Sequence, residues 1–355
     1  MKRLTPEVQT MLEQKIISFW LSLKDERYGG FISYVDLDLR RYAKAEKGCI
    51  LNSRILWFFS EAAMLLHTPE LSHAADHAYR FLMRYCVDRK AGGVFWSVTY
   101  DGKPLDTTKH TYNQAFAIYA LSAYYRLTGN PEALQTARQL FQIVEMHCRD
   151  AEGYGESYDR FWNPQSNEKL SENGVMAERT MNTLLHVFEG YSGLYQAAKS
   201  PEVEKELRAL LDIWSEKMFD PEKRRQEVFF DRSYHSLIDL QSYGHDIESA
   251  WLLDWGCDLL GDRELSEKIH RMTDVLAESV LERGFDGEAV CNEIENGVTD
   301  TDRIWWVQSE AILGFTHMLE KHPEQAQYGE AAEKVWACIP VSYTHLRAHE
   351  TLMNL

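Results

Sequence analysis

His245 and Glu248 stand three residues apart in YGHDIESAWLL, residues 243 to 253. In a helix that spacing puts an imidazole and a carboxylate on neighbouring positions, an arrangement suited to proton transfer. Asp246 and Glu248 also fit an ordinary helix start, where negative charge complements the positive end of the dipole. The eleven residues alone do not choose between catalysis and capping. Further groups of the same character recur along the chain: Arg54 in NSRILWFFS, Tyr112 and Asn113 in HTYNQAF, Asn182 and His186 in MNTLLHVFE, Trp305, Trp306 and Glu310 in WWVQSEA. A helical scaffold without a ligand would fill such positions with apolar residues or surface charge. Aromatic faces beside amides and charges suit a sugar, whose C–H faces stack on rings while its hydroxyls need polar partners. The sequence contains no GxxxxGK[ST] and no GxGxxG, so no nucleotide cofactor is expected. It contains no HExxH, so no metal is expected either.

The elements that carry these groups repeat. Five apolar segments begin at Asn52, Asn113, Asn182, His245 and Trp305, at a period of about 60 to 70 residues, which implies stacked supersecondary units. Each is apolar nearly all round, the mark of a helix buried on most sides. Between them lie helical stretches with charged outer faces, near residues 7–23, 70–87, 131–148, 201–217, 262–281 and 324–338. Short stretches rich in Gly, Asp and aromatic residues follow five of these and read as hairpins. Outer helix, hairpin, inner helix, repeated, closes as an all-α toroid of the (α/α)6 barrel class, with the polar starts of the inner helices at one end.

Composition sets the bounds. A net charge of −17 opposes a nucleic-acid or anionic-membrane surface, because both need clustered Lys and Arg. No apolar run approaches the roughly 20 residues that cross a bilayer. Six scattered cysteines without a CxxC pair, behind an N-terminus with no apolar core, point to reduced thiols in the cytoplasm. A monomer is expected.

KGCILNSRILWFFS, TTKHTYNQAFAIYALS, NEKLSENGVMAERTMNTLLHVFE, RRQEVFFD, SYGHDIESAWL and DTDRIWWVQSEA closely resemble the cellobiose 2-epimerases, relatives of the N-acylglucosamine 2-epimerases. The resemblance covers almost all of residues 8–339. It implies an (α/α)6 barrel that epimerises C2 of the reducing-end glucose of β-1,4-linked disaccharides such as cellobiose and lactose, without a cofactor and through a cis-enediolate. It also implies the roles of residues. His245 is an acid/base catalyst with Glu248 as its supporting carboxylate, while His186 and Asn182 touch the reacting end. Arg54 is the cation near the sugar oxygens, Tyr112 a wall of the site, and Trp306 a stacking platform; Glu310 completes the substrate-binding set. On this reading the cap role in YGHDIESAWLL falls to Asp246 or Gly244.

Rival readings stay open. An N-acylglucosamine 2-epimerase or a mannose isomerase shares the toroid, and a non-enzymatic repeat scaffold shares the helices. An inverting glycosidase on a similar toroid needs two carboxylates about 6.5 to 9.5 Å apart, for which Glu248 and Glu310 are candidates. The repeat also has an end. A further step of about 60 to 65 residues from Trp305 puts a sixth inner helix beyond Leu355. In the family that segment carries a second acid/base histidine, and VSYTHLRAHET resembles translated adapter sequence. The expectation is one incomplete catalytic domain over residues 1–339, lacking the last inner helix, with a non-native tail over 340–355.

Overall fold

The computed structural model describes residues 4–345. Twelve α-helices dominate the described residues: α1 (Leu4–Met11), α2 (Ile17–Ser22), α3 (Cys49–Leu66), α4 (Pro69–Phe81), α5 (Thr111–Thr128), α6 (Pro131–His147), α7 (Met181–Ala197), α8 (Pro201–Ile213), α9 (Tyr243–Leu260), α10 (Arg263–Ser279), α11 (Trp305–Lys321) and α12 (Ala326–His345). The alternation expected from the sequence is therefore present. Short π-helical turns extend the outer members at Leu12–Ile16, Leu82–Cys86, Trp214–Met218 and Val280–Gly284.

The chain divides into two compact units. Among the described residues, one holds 9–167 and 189–204, and the other holds 4–8, 168–188 and 205–345. In the first, α3 packs on α4 and α5, and α5 on α6; in the second, α9 packs on α10 and α11, and α11 on α12. The expected tail begins inside α12, whose backbone continues to His345; residues 346–355 lie outside the described residues.

Local chemistry explains the punctuation. Pro69, Pro131 and Pro201 open α4, α6 and α8 at the position where a missing N–H costs nothing. Gly129 and Gly261 close α5 and α9 in the left-handed region, with φ of 70° and 68°. After each of five outer helices an aspartate accepts two backbone N–H groups to form a turn: Asp25, Asp88, Asp150, Asp220 and Asp286. The chain then runs into very short antiparallel strands. Leu240–Ser242 pairs with Glu293–Glu295, which pairs with Val298–Asp300.

Helix α3 has mean hydropathy 1.3 over 18 residues, enough by length and composition to cross a membrane, which corrects the expectation that no run approaches that limit. In this fold 61% of it is buried, as befits a core helix. All six cysteines are free thiols, five of them buried.

Candidate active site

Helices α3, α5, α7 and α9 each begin where a strand ends, at Gly48, His110, Thr180 and Ser242. That common start gives these four helices one register, and α11, which begins at Trp305, carries the same pattern of residue types. Their fourth residues include Asn52, Gln114, Asp246 and Gln308, all fully buried, and these clamp the neighbouring chain. Gln114 Oε1 accepts from Val94 N at 2.7 Å while its Nε2 donates to Val94 O at 3.0 Å. Gln308 holds Val290 the same way, Asn52 accepts from Phe31 N, and Asp246 accepts from Gln226 N at 3.3 Å and Gln241 Nε2 at 2.8 Å. Asp246 is therefore a structural clamp and not a helix cap. Burial raises its carboxyl to about 7 despite these donors. Asn113 is structural too, since its Nδ2 donates to Phe95 O at 2.6 Å.

The second and sixth residues of each inner helix lie four apart and share a face. In order they are Ile50 and Arg54, Tyr112 and Phe116, Asn182 and His186, Gly244 and Glu248, Trp306 and Glu310. Seven of the eight residues given roles by the resemblance occupy this pair of positions, and the eighth, His245, stands at the third residue of α9. In the first unit the Arg54 guanidinium lies 4.6 Å from the centre of the Phe116 ring, and Tyr112 meets Phe116 edge-on at 4.9 Å.

In the second unit His245 is the centre of the arrangement. Its ring is tilted 51° against Trp306, with centroids 4.7 Å apart. Its Nδ1 is 2.8 Å from Ser242 Oγ. Burial above all, and then the nearby His186 imidazole, lower the His245 ring to about 3, so it is neutral at neutral pH. His186 and Glu248 are themselves buried. The Asn182 Oδ1 is buried with no hydrogen-bond partner among the described residues, which leaves an acceptor for a ligand hydroxyl. Glu310 Oε2 accepts from Trp251 Nε1 at 2.9 Å, which fixes its carboxylate.

Two of these groups escaped the sequence reading. Ser242 precedes a helix and reads as a cap, and Trp251 reads as core. The expectation gave the support of the His245 ring to Glu248; the structure adds Ser242, whose Oγ lies 2.8 Å from Nδ1.

Such an arrangement can accept and return a proton at a neutral imidazole beside an aromatic platform. Among the described residues no group of three or more His, Cys, Asp or Glu side chains is placed to hold a metal ion.

Residues 29–351 match the model of the N-acylglucosamine 2-epimerase (GlcNAc 2-epimerase) family. A cellobiose 2-epimerase of Eubacterium cellulosolvens is 48% identical over 94% of this chain and 86% of its own length. One from Dictyoglomus turgidum is 41% identical over 90% of this chain and 82% of its own. The solved cellobiose 2-epimerase of Bacillus thermoamylovorans superposes with a TM-score of 0.92 at 40% identity, covering 96% of this chain and 88% of that one. The chain shares its fold with these enzymes, whose architecture is the (α/α)6 toroid. A match over most of the sequence, with relatives well above 30% identity, places the chain in the N-acylglucosamine 2-epimerase family: it is a carbohydrate epimerase, an isomerase.

Proposed function

We propose that this enzyme epimerises C2 of the reducing-end glucose of β-1,4-linked disaccharides, turning cellobiose into glucosyl-mannose and lactose into epilactose. The relatives named cellobiose 2-epimerase support the substrate class. The observation that carries the chemistry is His245, a neutral imidazole held on one side by Ser242 and packed on the other against Trp306.

The open-chain aldose presents a C2–H made acidic by the C1 aldehyde. His245 takes that proton; the C2–H electron pair becomes the C1=C2 bond, and the carbonyl pair moves onto O1. Negative charge then develops on O1, where fixed donors contribute most to catalysis. Arg54 and His186 supply that stabilisation, and the unpartnered Asn182 Oδ1 accepts a substrate hydroxyl. Collapse of the enediolate restores C1=O as C2 takes a proton on its other face. That return requires a second acid on that face. Glu248 sets the local charge, Trp306 stacks on the sugar, and Tyr112 and Glu310 complete its recognition.

Incubation with cellobiose, followed by chromatography, tests the reading. Glucosyl-mannose is expected. Free glucose would mean hydrolysis, and an unchanged disaccharide would defeat the proposed substrate.

A further inference from the structure

Serine at a helix start normally turns its hydroxyl to the backbone N–H groups of the first turn. Ser242 occupies that position before α9 and makes no side-chain cap hydrogen bond. Its Oγ lies instead 2.8 Å from Nδ1 of His245, the third residue of the helix. The serine has little freedom to do otherwise. Its backbone is the end of a strand, paired opposite Glu293, the next N–H donates to Asn292 O at 3.3 Å, and the residue is buried.

We propose that Ser242 is a positioning residue that holds His245 in the tautomer with the proton on Nδ1, which makes Nε2 the atom that exchanges protons with the substrate. The inference rests on the assignment of His245 as the acid/base group.

The choice of a hydroxyl follows from the reaction. While His245 waits as a base, Nδ1–H donates to Ser242 Oγ and Nε2 keeps its lone pair. When Nε2 takes the C2 proton, the Nδ1–H bond to Oγ is unchanged, so the ring stays in place through the cycle. A carboxylate in the same place would also hold the tautomer, but it would stabilise the imidazolium and make the proton harder to return. A neutral hydroxyl orients without adding charge. The ionisable groups on the surrounding elements are His186 on α7, Asp246 and Glu248 on α9, and Glu293 across the strand pair. Among these, His186 acts on the charge of the ring and disfavours the imidazolium as well.

Nitrogen-15 NMR of histidine-labelled protein reads the tautomer directly and does not depend on the substrate. The resonances of His245, assigned by their loss in His245→Ala, are expected to show a protonated Nδ1 and a bare Nε2. The opposite tautomer overturns the proposal whatever the activity. Kinetics on cellobiose supply the second arm. Ser242→Ala should lower kcat roughly 10- to 100-fold, as loss of an orienting partner does, with KM and melting temperature nearly unchanged. Ser242→Thr should restore most of kcat, and Ser242→Asp should move the acid limb of the kcat/KM profile to higher pH. Unchanged kcat in Ser242→Ala, or a loss that follows melting and resists rescue by threonine, would sink the assignment. Full activity in His245→Ala would instead remove the underlying reading of the site, leaving the tautomer result to stand or fall by itself.

Discussion

The Trp306 ring lies where a side chain on Gly244 would have to be. A Cβ at Gly244 would stand 2.6 Å from two carbons of that ring and 2.8 Å from Val307 Cγ2. The glycine therefore lets α9 and α11 approach closely enough for Trp306 to pack on His245, which immediately follows it. Gly244→Ala should push the ring off the imidazole, costing about 1 to 3 kcal/mol of stability, as overpacking generally does. A fall in kcat/KM of roughly tenfold or more should accompany it, since small displacements at a catalytic group have that effect. Denaturant unfolding and turnover on cellobiose, measured on the same preparation, check both.

His245 gives the enzyme a stated pH behaviour. Its folded value of about 3 lies below the ordinary histidine value of 6.5. Below pH 6.5 the unfolded chain binds a proton that the folded chain refuses. The stabilising contribution is therefore present above 6.5 and is lost as pH falls from there toward 3. The base stays unprotonated across that window, so the acid limb of kcat/KM should lie below the usual histidine range. A pH-rate profile taken where circular dichroism shows an intact fold decides this; a limb centred near 6.5 would count against it.

Asp246 has the opposite sign. Its folded value of about 7 lies above the ordinary 3.8, so the folded state holds the extra proton between those values. Stability is highest below the lower value and declines as pH rises through the window. Above pH 7 the fold must carry a buried carboxylate. Asp246→Asn removes that slope, and rotation of the Gln241 amide lets the new amide keep partners there. Between pH 4.5 and 7.5 the wild type should lose on the order of 3 kcal/mol relative to this variant. Urea unfolding at the two pH values is the check.

Removal of the imidazole should be far more damaging than neutralising its neighbour. His245→Ala or His245→Asn is expected to lower kcat roughly a thousandfold or more, and Glu248→Gln about 10- to 100-fold, with both proteins folded. Near wild-type turnover of His245→Ala on each β-1,4 disaccharide would exclude His245 as the acid/base.

The helices were legible in the sequence because two independent signals coincide there. The inner members are apolar nearly all round, and proline or glycine marks several boundaries, as at Pro131 and Gly261. Their starts were read a few residues late at Asn52, Asn113, Asn182 and His245. The cause is that α3, α5 and α9 begin directly from strand ends, with no side-chain cap hydrogen bond to announce them. With the start misplaced, Asn113 passed for a site residue although it ties down Phe95, and the common register of Tyr112, Asn182 and Trp306 stayed hidden. Ser242 was illegible for a different reason. Its type and place are those of a cap, and only the geometry shows its hydroxyl turned to an imidazole.

Removal of the C2 proton and its return is the central claim, and solvent exchange tests it most directly. Cellobiose is incubated with the enzyme in deuterium oxide, and the isolated glucosyl-mannose is examined by proton NMR and mass spectrometry. Because the proton returned to the opposite face of C2 comes from a second, solvent-exchanging acid and not from the one removed by His245, deuterium should enter at C2 of the reducing-end sugar and at no other carbon. Glucosyl-mannose formed without deuterium at C2 would contradict a deprotonation mechanism run by solvent-exchanging groups.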